Sequence, residues 1–166
     1  MNYYTSDLHF GHDNIMKYEN RPGKDISEMN KILIDNINNT VSKDDVLYVL
    51  GDFAFKKSHH KIGSIIDELI SIKCRVVLII GNHDKEWLNS EKFKHWNESA
   101  DGKIKQVEVY DYLEIYDSGH YVILSHYPIE VWNHKQHGAI HLHGHTHDIG
   151  EDFKFNNRYN VGCIFN

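Results

Sequence analysis

Cysteine is scarce in this sequence. Only Cys74 and Cys163 are present, far apart and outside any CxxC pair. A disulfide framework is not what this pattern describes; it fits a reducing compartment and small buried apolar side chains. Long apolar runs are also missing. The longest, such as Val76 to Ile80, are far too short to span a bilayer. The opening MNYYTSDLHF has neither a basic nor an apolar leader region, so we expect no signal peptide and a soluble, cytoplasmic protein with no membrane partner. Basic charge is not in excess: 18 Lys and Arg stand against 24 Asp and Glu, a net charge of -6. That balance argues against a protein that coats nucleic acid through a basic face.

What is present is an ordinary globular composition, 40% apolar and 25% charged over 166 residues. One domain spanning 1–166 is expected, burying roughly two thirds of the surface its unfolded chain exposes. The unusual number is 14 histidines, dispersed rather than in a terminal run. Histidine is the commonest metal ligand.

Four apolar runs each stop at a polar cluster. Tyr3–Ser6 leads into Asp7-Leu8-His9, Val46–Leu50 into Gly51-Asp52, Arg75–Ile80 into Gly81-Asn82-His83-Asp84, and Tyr121–Ser125 into His126-Tyr127-Pro128. Such runs read as buried strands. Between the first three, Ser27–Val41 and Ser58–Ile72 carry apolar residues at helical spacing, with Asp25 or Ser27 able to cap the first. Strand and helix therefore alternate, an α/β order with parallel pairing. Trp87–Glu98 reads as a further helix. Gln106–Tyr110, Leu113–Tyr116 and Ala139–His143 read as short strands, with a hairpin turn at Asp117-Ser118-Gly119-His120, and this half is expected to be more antiparallel.

Ligands of open α/β sheets gather outside the carboxyl ends of strands. Here each strand ends in metal-type side chains: Asp7 and His9, Asp52, Asn82 and His83, His126, then His145 and His147. Any one alone has a plain explanation, since Asp after a strand is usually a turn or cap residue. Together they form a mixed carboxylate, imidazole and amide set without thiolate, which suits Mn2+, Fe, Zn, Co or Ni. Leaving His83 aside, seven such ligands exceed one four-coordinate ion and match two divalent ions sharing a carboxylate. Two metals roughly 3.5–4 Å apart clamp a phosphate.

The ordered blocks Asp7-Leu8-His9, Gly51-Asp52, Gly81-Asn82-His83-Asp84, lone His126 and Gly144-His145-Thr146-His147 resemble the calcineurin-like metallophosphoesterases. The resemblance implies two packed mixed sheets flanked by helices, an αββα sandwich. It implies that Asp7, His9, Asp52 and His147 hold one ion, and that Asp52, Asn82, His126 and His145 hold the other, Asp52 bridging and Mn2+ preferred. A metal-bridging hydroxide would attack, His83 would protonate the leaving oxygen, and Asp84 would orient His83. The longer string from Asp7 to Ile15, followed by Arg21-Pro22, is similar to a small single-domain bacterial and phage branch. In that setting His12, Asn14 and Arg21 would face the substrate.

The expected function is hydrolysis of a phosphodiester or phosphomonoester in a small or nucleotide-type substrate. A nuclease acting on DNA or RNA ends and a non-catalytic metal-binding scaffold are the alternatives. His141 and His143 are read as structural or as lying behind the ligands rather than as ligands themselves. His59, His60, His95, His120, His134 and His137 are read as surface or loop residues, with His134 and His137 as minor candidates for the cleft. The oligomeric state stays open.

Overall fold

Short aliphatic runs build the first sheet. The computed structural model describes residues 1–99, 107–147 and 157–163. In it β1 (Asn2–Thr5), β2 (Val46–Leu50), β3 (Arg75–Ile79) and β4 (Glu108–Tyr110) lie in that order, parallel throughout. The expected start of β4, Gln106, lies outside the described residues. Successive side chains of a strand face opposite ways. Leu47, Val49, Val76 and Leu78 thus join a core with the helices, while Leu50 and Ile79 face the second sheet.

Among the described residues five helices connect these strands: α1 (Ile15–Tyr18), α2 (Ile26–Thr40), α3 (Ile62–Ser71), α4 (Lys85–Leu88) and α5 (Glu91–Glu98). The Asp25 carboxylate starts α2 by accepting the Glu28 N–H at 2.9 Å. α2 buries Met29 and Leu33, and α3 buries Ile62, Ile65, Ile66 and Leu69. Burying each such side chain contributes about 1.5–3 kcal/mol. α3 starts later than its sequence pattern suggests, because His60 turns inward to meet Glu68 at 3.0 Å. The Trp87–Glu98 pattern divides in two at Ser90. Its hydroxyl donates to Trp87 O at 2.7 Å and accepts the Phe93 N–H at 3.3 Å, closing α4 and opening α5.

The second sheet holds β5 (Tyr112–Asp117), β6 (His120–Ser125), β7 (Ile140–His143) and β8 (Arg158–Asn160). Among the described residues only the β5–β6 hairpin is antiparallel; β6, β7 and β8 pair in parallel. The antiparallel expectation for this half therefore holds only at the hairpin, where Ser118 and Gly119 both take positive φ. Segment 126–139 returns the chain across the sheet before β7, which makes parallel pairing necessary. β8 has three residues and carried no readable strand pattern.

The sheets meet through Leu50, Ile79, Val122 and Leu124, flanked by Tyr4, Tyr48, Leu113 and Ile115. Among the described residues the α-helices cover the first sheet. The outer face of the second carries Trp132 and Ala139 over Ile123, and His134 stacked on Tyr121 beside a 3-10 turn at Lys135–His137. His134 and His137 thus sit on that outer face. No helix among the described residues is long and apolar enough to cross a membrane.

Candidate metal centre

Five strands deliver their following residues to one edge. β1 delivers Asp7 and His9, β2 Asp52, β3 Asn82 and His83, β6 His126, and β7 His145 and His147. Asp7, His9, Asp52, His145 and His147 all have φ between 52° and 70°. Non-glycine residues avoid this left-handed region, and such strain gathers at functional sites. The turns are held in register: the Asp7 N–H donates to Gly51 O at 3.0 Å and the His9 N–H to Asp52 O at 2.9 Å.

The ligand atoms converge in three overlapping groups: Asp7, His9 and His147; His9, Asp52 and His83; and Asp52, His126 and His145. Within each, all ligand atoms lie within 4.8 Å of one another. His9 Nε2 is 3.2 Å from His147 Nε2 and 3.8 Å from Asp52 Oδ2. His147 Nε2 is 3.6 Å from Asp7 Oδ1. On the other side His126 Nε2 is 3.5 Å from Asp52 Oδ2 and 3.0 Å from Asn82 Oδ1. Asp52 Oδ2 lies between the two sides.

This donor set fits divalent cations. Asp7 and Asp52 are both about 1% exposed. Burial pushes the Asp7 carboxyl up, so its ionised form needs a countercharge. Asp52 moves the other way: burial opposes its charge, but His126 and the His83 N–H hold it below the usual carboxylate range. Burial pushes His9 down to about 2, leaving it neutral, the form that ligates metal. Its buried Nδ1 has no hydrogen-bond partner among the described residues, and its Nε2 faces another imidazole nitrogen. A cation between these nitrogens and carboxylates satisfies them together. His126 Nδ1 is 2.9 Å from Leu50 O, and donation there leaves Nε2 as the acceptor aimed inward. Cys163 Sγ contacts Asp7 O, but burial pushes its thiol up to about 11, so no thiolate joins the set.

His83 stands at the rim with its side chain 32% exposed, Nε2 3.9 Å from Asp52 Oδ2. Its ring packs against Phe55 at 4.8 Å, and His12 packs on the same phenyl ring at 4.6 Å. Opposite, the half-exposed ring of Tyr127 packs on His126 and His145. Phe55 and Tyr127 were not singled out in the sequence; the only signal was an aromatic residue near a ligand block.

Two expected roles change. Asp84 does not orient the His83 ring. Its fully buried carboxylate accepts from the N–H groups of Asp52, Phe53, Ala54 and Gly81 and from the Trp87 indole, so it fixes the turns that carry Asp52 and Asn82. Arg21 does not face the cleft. Its buried guanidinium donates to Asp7 O and Leu8 O, both at 2.6 Å, and to Glu19. Asn14 is exposed at the start of α1, where its carbonyl accepts from Lys17 and Tyr18. His60, expected at the surface, is buried against Glu68. His141 and His143 are buried, as their alternation suggested. Glu19 is new: it contacts both Arg21 and His147.

Comparison with known proteins bears on this centre. A family described as calcineurin-like phosphoesterase matches residues 3–163. An uncharacterized protein of Methanocaldococcus jannaschii is 46% identical over 92 residues, 55% of this chain and 49% of that protein, so the match spans about half of the relative's length. The gene 66 protein of Mycobacterium phage L5 is 31% identical over 87% of this chain and 76% of its own. Among solved structures, a protein of unknown function from Aquifex aeolicus aligns with a TM-score of 0.67 at 24% identity, covering 98% of this chain and 89% of that one. A phosphoesterase from E. coli, Yfce, aligns with a TM-score of 0.50 at 13% identity, covering 97% and 77%.

Proposed function

The chain belongs to the calcineurin-like phosphoesterase family, and from that premise we propose that it hydrolyses a phosphodiester or phosphomonoester of a small or nucleotide-type substrate with two divalent ions. The observation that carries this reading is the placement of Asp52 between two groups of ligand atoms. Asp7, His9, Asp52 and His147 would hold one ion; Asp52, Asn82, His126 and His145 would hold the other. Mn2+ suits this nitrogen and oxygen set. Bound divalent ions polarise phosphoryl oxygens and make water a nucleophile near neutral pH.

The protein's own part is positioning and proton transfer. The His83 N–H donates to Asp52 Oδ1 at 2.9 Å, which ties the acid to the shared carboxylate. Its exposed imidazole edge is reachable by a leaving oxygen, and in this reading it delivers the proton there. The Phe55 and Tyr127 rings offer apolar walls to a flat group on the ester, which supports a nucleotide-type substrate. His12 lies on the Phe55 side, where it would meet the substrate.

Substitution tests the roles. His83→Ala is expected to lower turnover of an alkyl ester about 100- to 10,000-fold while metal content stays at the wild-type level. Loss of metal in that variant would make His83 a ligand instead. Asp52→Asn is expected to weaken both ions together, and loss of one alone would contradict the shared role.

A further inference from the structure

One ion pair outside the ligand set touches both halves of the first group. α1 ends at Tyr18, Glu19 follows as its C-cap residue, and Asn20 takes φ +50. Asparagine tolerates this left-handed geometry better than most residues. The turn brings Glu19 and Arg21 side by side, with Arg21 Nε donating to Glu19 Oε2 at 2.7 Å and Nη2 at 2.6 Å from the same oxygen. The fork continues inward, Nη1 to Leu8 O and Nη2 to Asp7 O. The other carboxylate oxygen, Glu19 Oε1, meets His147 Nδ1. One carboxylate therefore reaches the Asp7–His9 turn through Arg21 and the His145–His147 turn directly.

We propose that Glu19 is the positioning residue of the first of the two ions, acting through His147; this rests on the two-ion reading above. With Nδ1 donating to Glu19, His147 keeps its lone pair on Nε2, aimed at Asp7 Oδ1 and His9 Nε2. A carboxylate behind a ligating imidazole fixes its tautomer and raises its basicity. Arg21 neutralises Glu19, so the bracket adds no net charge beside Asp7 and Asp52. Its guanidinium is fully buried, which makes the pairing obligatory.

The two ions are not equivalent in this respect. His126, on the second side, is oriented by the neutral carbonyl of Leu50. His9, the other imidazole of the first side, has no partner on Nδ1 among the described residues. Orientation of the first side therefore depends on Glu19, and that of the second does not.

The test is calorimetric titration of the metal-free full chain with Mn2+, paired with electron paramagnetic resonance and with melting of the metal-free protein. Glu19→Gln keeps the shape and removes the charge. It is expected to weaken one of two sites about 10- to 100-fold and leave the other unchanged, with a lower metal-free melting temperature because buried Arg21 loses its countercharge. The spin-coupled signal of a manganese pair should then appear only at higher Mn2+. Asn20→Gly, which keeps the left-handed turn, should retain both affinities and serves as the folded control. Two unchanged sites in Glu19→Gln, or equal weakening of both, would overturn the proposal and leave Glu19 a structural residue. A wild type that binds fewer than two ions would overturn the two-ion reading beneath it.

Discussion

At the residue scale the centre is supported by carboxylates outside the ligand set, Asp84 and Glu19. Asp84 gathers five donors from two segments of backbone and one indole. Removing that acceptor strands buried N–H groups, each costing about 1–3 kcal/mol. Asp84→Ala is therefore expected to lower stability by at least about 3 kcal/mol in denaturant unfolding. A variant of wild-type stability with only its turnover changed would contradict this role and restore a link to His83. The sequence named Asp84 and Arg21 as site residues but not what they do. Each block shows which residues are polar and next to a ligand, whereas the partners of Asp84 and Arg21 are backbone atoms of other turns. Glu19 was not legible for the same reason: its partner His147 lies at the far end of the chain.

At the element scale, the strands and the ligands that follow them were legible because the two signals coincide. Each run of Val, Leu, Ile or Tyr stops where the chain turns, and the turn residue is itself a ligand type. The glycines of the blocks have a steric reason. A side chain at Gly144 would overlap Ser6 Oγ and Asp7 Oδ2, and one at Gly81 would overlap Asp52. Gly144→Ala is expected to displace Asp7 and weaken the first ion in Mn2+ titration, with the second retained. Equal retention of both would show that Ser6 and Asp7 yield without effect. Pairing direction in the second half was not legible, because short strands carry no sign of whether the chain doubles back or crosses over. β8, with three residues, falls below the length at which alternation can be read.

At the scale of the whole molecule, the acidic centre is supported from behind by a network that joins two helices to a turn of the site. The Gly11 N–H donates to Asn30, Asn30 donates to Glu68, and Glu68 meets His60, whose Nδ1 faces Phe55 O. Burial opposes charge on His60, but the Glu68 hydrogen bond wins and raises its pKa above 6.5. Burial raises Glu68 as well. A raised folded-state pKa gives stability that is fully present below the unfolded value and fades as pH rises through the folded one. Both groups therefore lose their contribution toward alkaline pH, Glu68 above the usual glutamate range and His60 above the imidazole range. The melting-temperature gap between wild type and His60→Asn should shrink from about pH 6 to about pH 9. A gap that widens would reverse the sign. Metal removal acts on the same balance: ions that bind only the folded chain stabilise it by mass action, so chelation should lower the melting temperature.

The most direct measurement is metal content by elemental analysis of the purified protein, alongside hydrolysis of an activated aryl phosphodiester with added Mn2+ and with chelator. Near two ions per chain are expected, with turnover that chelator abolishes and Mn2+ restores. Protein that takes up no metal and shows no turnover even with Mn2+ supplied would contradict the two-ion reading.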